Sequence, residues 1–522
     1  MKTRMYRTIA SSVFVGMLVL LALQFAVLPV AAAARSNEPD LAKVDAFITS
    51  EMQSSHLPGL ALGIVHNDQV VHLRGFGVAD TSGRAVTPQT PFLIGSTSKS
   101  ITALAILQLV EAGKISLDAP VQRYLPWFHM VGNPTASAHI TVRHLLNQTS
   151  GLPTFAGLPK SSGLSYVTDE TVEQAVRDLS TVALDRPVGS TFEYSNANYM
   201  VLGLLVQTVS GQAYETYIQQ HIFDPLGMHH SFVSGQAARR DHLAQGYEWL
   251  FGLPFPVNEP LPRSLMPAGV MFSSAEDMSH YLVAQMNGGH SGSVSLLSPT
   301  GIATMHTPVA VSDAAQPGSR YGMGWFIGPQ GGVQAIYHPG DTNTFNALML
   351  IEPQNRWGAI LLMNLNSAVA GNAIAEIDAG VASLLAGREP SSAGFSLNGA
   401  YLPIDGVLAL ISILVLWPLL RLPWWSKKLE RRQQRRQHPL VRVILPLLRE
   451  LVLPLILLLA IRPGPSFLFK YPDLGSWLLV MLALLLITGI IRVVLAFRIL
   501  RRKRADTRME EPAPPSTSPS LT

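Results

Sequence analysis

The 522-residue chain contains no cysteine. Disulfides, thiolate metal sites and a cysteine nucleophile are therefore excluded, although the compartment stays open. Charge is scarce: 14% of residues are Asp, Glu, Lys or Arg, against roughly 25% in an average soluble domain. With 48% hydrophobic residues and a mean hydropathy of +0.25, the balance points to membrane segments. None of the 15 histidines forms a His-Glu-x-x-His pair, so the common zinc-hydrolase signature is missing. A Gly-x-Ser-x-Gly elbow, a phosphate-binding glycine loop and an internal repeat are missing too. No cofactor and no metal are expected.

The net charge of +4 is local in origin. Residues 421–436 and 492–504 carry +6 each, leaving −8 for the remainder. Both clusters adjoin apolar runs, so they read as membrane-flanking anchors and not as a nucleic-acid surface.

At the start, Lys2, Arg4 and Arg7 precede an apolar run to about Val30 and then four alanines. Residues 1–34 read as an export signal, cleaved or kept as an N-terminal anchor. Three apolar stretches follow residue 396: Leu402–Leu422, Leu440–Ile461 and Leu474–Leu500. Each is long enough to cross a hydrocarbon core of roughly 30 Å. Three spans put both basic clusters in the cytoplasm and the preceding domain outside. The middle one is interrupted by Pro446, Arg449, Glu450 and Pro454. The expected organisation is a signal or anchor at 1–34, an exported domain at 35–395, a three-span region at 396–504 and a disordered tail at 505–522. The lipid bilayer is thus an expected partner, and nucleic acid is not.

In the exported domain, Leu41 to Ser55 has the spacing of an amphipathic helix. Leu60–Val65 and Gln69–Val78 flank Asn67-Asp68, a hairpin signal. Thr141 and Ser274 are positioned as helix caps, and residues 203–210 and 214–223 read as helical. Strands are expected at 321–327, 335–338, 345–351 and 357–363, the last two joined by a turn at Glu352–Arg356, with a closing helix near 370–386. Segments 153–166 and 247–266 read as loops. This pattern implies an α/β domain whose sheet is built from both ends of the chain, with an α-helical insertion between.

The stretch Phe92–Lys99 carries the chemistry. Ser96 and Lys99 are three residues apart, and a helix-forming run follows. One helical turn brings a hydroxyl and an amine into contact, and a buried amine with a lowered pKa can take the hydroxyl proton. On the order of one or two Ser-x-x-Lys matches are expected by chance in such a chain, but Lys99 alone among the nine lysines has this spacing. Tyr194-Ser195-Asn196 is the one Tyr-x-Asn, placed where a loop enters a helix. Tyr194 can shuttle a proton and Asn196 can hold Lys99 or a substrate carbonyl. His338-Pro-Gly340 adjoins an apolar strand, where a glycine admits a substrate backbone to the sheet edge. His290-Ser-Gly292 has the same spacing but lacks strand flanks.

These three elements in this order resemble the serine hydrolases related to class C β-lactamases and low-molecular-mass penicillin-binding proteins. Accompanying phrases are similar as well: His144-Leu-Leu-x-x-Thr-Ser-Gly-Leu152, Phe223-x-Pro-Leu-Gly-Met228, Pro267-Ala-Gly-Val270 and Tyr321-Gly-Met-Gly-Trp325. The likeness covers roughly residues 40–385. It implies an antiparallel sheet flanked by helices, an α-helical subdomain, and an active site between them. It also implies that Ser96 is acylated, that Lys99 and Tyr194 share acid and base work, that Asn196 orients Lys99 and substrate, and that His338 and Gly340 meet a small-molecule or peptide substrate. Asn343 is expected to meet it too, with altered contacts, because Asn343-Thr344-Phe345 stands where the family commonly has Pro-Gly-Phe. His338 stands where β-lactamases usually carry lysine, so efficient β-lactam hydrolysis is not implied. The reaction expected is cleavage of an amide or ester through a Ser96 acyl-enzyme, as in a D-stereospecific or carboxypeptidase-like peptidase. An esterase, a weak β-lactamase and a slowly acylating penicillin-binding sensor are the alternatives. An exported domain ahead of three spans also resembles membrane-bound prodrug-activating peptidases, which places this one at a bacterial cell membrane.

Overall fold

The computed structural model describes residues 39–158, 160–162, 165–166, 168–312, 317–367, 371–390, 396–433 and 472–509. The expected export signal and the expected middle span lie outside these residues. Helix α1 (Leu41–Ser54) starts at Asp40, whose carboxylate accepts from the N–H groups of Ala42 and Lys43. Strands β1 (Gly59–His66) and β2 (Gln69–Gly77) form the expected hairpin, turning through Asn67 at φ 58°. The helical half holds α2 (Ser98–Glu111) and α3 (Asn196–Ser210). A second hairpin, β3 (Gly246–Leu250) and β4 (Leu253–Val257), occupies a segment expected to be a loop. Pro254 and Pro256 argue against a strand in the sequence, yet a two-stranded ribbon has free edges that tolerate them. A short helix α4 (Met266–Gly269) and helix α5 (Ala275–Met286), capped by Ser274 as expected, lead back to the sheet.

The strands that complete the main sheet are β5 (Ala310–Val311), β6 (Arg320–Tyr321), β7 (Phe326–Gln330), β8 (Val333–Asp341), β9 (Asn346–Glu352) and β10 (Trp357–Met363), closed by helix α6 (Gly371–Leu385). Together they make one eight-stranded antiparallel sheet in the order β5-β6-β7-β8-β9-β10-β1-β2. Both chain ends build it, as expected: β1 lies beside β10, with Leu60 opposite Met363. Side chains alternate between faces along a strand. Ala61, Ala347, Met349, Ile360 and Leu362 enter the core shared with the helical half. Leu60, Leu62, Leu348, Leu350 and Leu361 enter the core under α1 and α6. Both faces are covered, so β9 and β10 are buried throughout and their sequences run apolar without alternation.

Two expected strands needed correction. The one at 321–327 is broken into β6 and β7. Gly324 turns at φ 79°, and a Cβ there would lie 2.8 Å from the Cα of Ser100, so the break admits helix α2. The strand expected at 335–338 is longer and takes His338-Pro-Gly340 into its end. His290-Ser291 belongs to a separate two-stranded pair.

Past the domain come α7 (Leu397–Leu420), α8 (Leu422–Gln433) and α9 (Pro472–Met509), the last extending into the segment expected to be a tail. Two helices among the described residues are apolar and long enough to cross a membrane, Gly399–Leu420 and Asp473–Leu495, at the places of the first and third expected spans. They touch through Val415, Met481 and Leu485, and Trp477 Nε1 donates to Ser412 Oγ at 2.9 Å. At the domain end, Trp249 of β3 meets the Tyr401 ring edge-on at 6.0 Å.

Candidate active site

Helix α2 is buried on nearly every side, from Ser98 through Leu107, as a central helix should be. A single 3₁₀ turn, Gly95–Thr97, leads into it. Hydroxyls in this segment are held locally: Thr97 Oγ1 donates to Ile94 O at 2.8 Å and Ser98 Oγ to Gly95 O at 2.7 Å. Between Pro91 and Ser100, Ser96 alone is not buried.

Lys99 is fully buried. Its Nζ lies 3.0 Å from Ser96 Oγ, 2.7 Å from Asn196 Oδ1 and 2.6 Å from Ala268 O. Burial pushes its pKa well below the usual 10.5, and no carboxylate opposes this. The neutral amine has two N–H donors and one lone pair. Two of its neighbours are carbonyl oxygens, which only accept. In the neutral form both N–H groups are spent there, and the lone pair is left for the Ser96 hydroxyl.

Tyr194 sits over the same cluster, with Lys99 Nζ 4.7 Å from its ring centre. It stacks on Phe326 at 6.3 Å and meets Tyr321 edge-on at 6.4 Å. Burial raises its pKa well above 10, and a hydrogen bond to Ser96 only partly offsets this. Its placement depends on Gln148, held at φ 59°. The backbone carbonyl of Gln148 accepts from Glu193 N at 2.8 Å and its side-chain oxygen from Ser195 N at 3.1 Å. Tyr194 is thus gripped on both sides. Asn196 opens helix α3.

His338, on β8, is buried. Its Nδ1 lies 2.7 Å from Pro339 O, which can only accept, so Nδ1 carries the proton. Nε2 then accepts from the Tyr321 hydroxyl at 3.3 Å. Burial first, then the neighbouring Lys99, pushes His338 down to about 3, so this edge carries an uncharged imidazole. Two residues on, Gly340 passes against the nucleophile turn: a Cβ there would run into the carbonyl of Ile94, and one on Gly95 would lie 2.7 Å from the carbonyl carbon of Gly340. This end of β8, paired by β9 alone beyond Tyr337, and the Ser96 backbone are therefore in direct contact.

The structure thus gathers Ser96, Lys99, Tyr194, Asn196, His338 and Gly340. Asn343 falls outside this cluster, on the turn after β8, where its N–H donates to Glu259 Oε1 at 2.9 Å. Sequence reasoning missed the Ala268 carbonyl, Gln148, Tyr321 and Glu259. The phrases Pro267-Ala-Gly-Val270 and Tyr321-Gly-Met-Gly-Trp325 marked two of these places without revealing their contacts. Glu259 gave no signal, lying in a segment read as a loop.

A Ser/Lys pair at the seam between an antiparallel sheet and a helical half defines a class: serine hydrolases of the β-lactamase and penicillin-binding-protein fold. Within it, the chain belongs to the Beta-lactamase family, whose model matches residues 44–382. It is 30% identical over 331 residues to Protein flp of Staphylococcus aureus (strain MW2), an alignment covering 62% of this chain and 63% of flp. The octameric penicillin-binding protein homologue from Pyrococcus abyssi is similar in structure, with TM-score 0.58 and 30% identity, over 67% of this chain and 78% of that one. FmtA from Staphylococcus aureus shares the fold at TM-score 0.54 and 24% identity, over 68% and 95% of the two chains.

Proposed function

We propose that the chain is a membrane-tethered, extracytoplasmic hydrolase that cleaves an amide or ester through an acyl-enzyme on Ser96. The observation that carries this is the set of three contacts on Lys99 Nζ, two to oxygens that only accept and one to Ser96 Oγ; in the neutral amine they leave the lone pair for Ser96. As Ser96 Oγ adds to the substrate carbonyl, its proton passes to Lys99. The oxyanion forms near the positive N-terminal end of α2. The tetrahedral intermediate then collapses, the C–N or C–O bond breaks, and the leaving group takes the proton. Tyr194, bonded to Ser96 and held protonated by burial, suits relay of that proton better than service as a phenolate base. Water repeats the sequence to free Ser96.

The neutral His338 bears on substrate choice. A β-lactam or a carboxypeptidase substrate presents a carboxylate, which a cation would bind most strongly, and His338 supplies none. We therefore place esters and internal or capped amides ahead of β-lactams. The two apolar helices and their flanking basic residues support the tether.

Membranes carrying the full chain, with and without Ser96→Ala, should be labelled with a fluorophosphonate and with a fluorescent penicillin. Ser96-dependent fluorophosphonate label and rapid decay of any penicillin label are expected. Absence of Ser96-dependent label would sink the enzyme reading, and penicillin label that persists would point to a sensor without turnover.

A further inference from the structure

Resting on this acyl-enzyme reading, we propose that Glu259 is a positioning residue that sets the shape of the substrate edge. It follows the β3–β4 hairpin, yet its carboxylate reaches across to the turn joining β8 and β9. Four groups of that turn donate to it: Asn343 N at 2.9 Å, Thr342 Oγ1 at 2.8 Å, Thr344 N at 3.2 Å and Thr344 Oγ1 at 2.7 Å. No lysine or arginine contact competes for the carboxylate among its hydrogen bonds; all are to one turn. Thr342 Oγ1 also accepts from Phe345 N at 3.0 Å, so the turn is closed from within and from outside.

The turn lies two residues beyond Gly340, the point where β8 meets the backbone carrying Ser96. A change in its path alters the end of β8 beyond Gly340, while Gly340 itself stays pinned against Ile94. Loss of the acceptor leaves Asn343 N and the Thr344 hydroxyl without a partner and leaves Thr342 Oγ1 and Thr344 N only their longer contacts within the turn, at 3.3 Å to Phe345 O and 3.4 Å to Thr342 Oγ1, so the turn must open to water. The Ser96–Lys99–Asn196 hydrogen bonds involve neither turn nor hairpin, so bond cleavage itself should survive. What changes is binding of substrates whose backbone pairs with β8.

The test uses the full chain in detergent, as wild type, Glu259→Gln, Glu259→Asp and Ser96→Ala. Two p-nitrophenyl esters are compared: the acetate, too small to reach β8, and the N-acetylglycine ester, whose amide can pair with it. In Glu259→Gln, KM for the N-acetylglycine ester should rise about tenfold, with kcat and both constants for the acetate changing less than about twofold. Glu259→Asp should recover part of the KM. Amide hydrogen exchange should quicken at Asn343 and Thr344 with the thermal midpoint unchanged. Equal losses on both esters would assign Glu259 a general structural role and overturn the proposal, as would unaltered kinetics or unaltered exchange. If wild type hydrolyses neither ester in a Ser96-dependent way, the acyl-enzyme reading fails instead, and the exchange data alone decide whether Glu259 holds the turn.

Discussion

In the proposed mechanism Lys99 owes its role as base to what surrounds it, and two changes at single residues test this. Replacing it by methionine keeps the bulk and removes the lone pair, so labelling of Ser96 by fluorophosphonate should slow by about 10²–10⁴-fold. The pH profile carries a sign: acylation needs the neutral amine, so the rate is present above the lowered pKa and lost as pH falls through it. An ordinary lysine would place that limb near 10.5, and a limb there would contradict the buried, uncharged amine. His338→Lys restores a cation at the edge, and a fluorescent penicillin should then label about tenfold faster. The wild-type histidine also marks stability. It stays neutral in the fold down to about 3, against 6.5 when free, so on acidification the unfolded chain takes up the proton first. Its contribution is full above 6.5 and lost between 6.5 and about 3. A thermal-melt series over that window should show the midpoint falling, with a shallower slope in His338→Asn. Most of these residues were legible in the sequence because their chemistry is tied to short spacings. The Ala268 carbonyl was not, since a backbone oxygen has no residue type.

Strand β8 illustrates what an element adds to its residues. Its end must lie flush with the nucleophile turn, so Gly340→Ala should push it away from Ile94 and reduce fluorophosphonate labelling by about 10²-fold, while far-ultraviolet circular dichroism stays as in wild type. Periodicity and turn chemistry revealed the first hairpin, the caps at Thr141 and Ser274, and strands β9 and β10. They misjudged β6 and β7, because the break at Gly322–Gly324 is imposed by helix α2 crossing above it, a contact between residues over 200 positions apart. They also missed the β3–β4 hairpin, whose prolines conceal it and whose Trp249 is buried against the start of α7. Tertiary packing decided both cases, and local pattern does not carry that information.

The whole molecule joins an α/β domain to apolar helices, and the cysteine-free sequence makes its topology easy to test. Lys114→Cys, on the exposed surface of the domain, should react with a membrane-impermeant maleimide in intact cells; Lys428→Cys, in the basic cluster, should react only after permeabilisation. Labelling of Lys428→Cys in intact cells would reverse the proposed orientation. One feature of the sheet bears on how such a molecule is made. Strand β1 has β10 as its neighbour, and Leu60 waits for Met363. At about 5–20 residues per second, a growing chain takes on the order of 15–60 s to supply that partner. Throughout that interval the first hairpin has an unpaired apolar strand edge, a template for aggregation. The sheet therefore closes only after nearly the whole domain has been made, and the folding of β1 is timed by the arrival of β10.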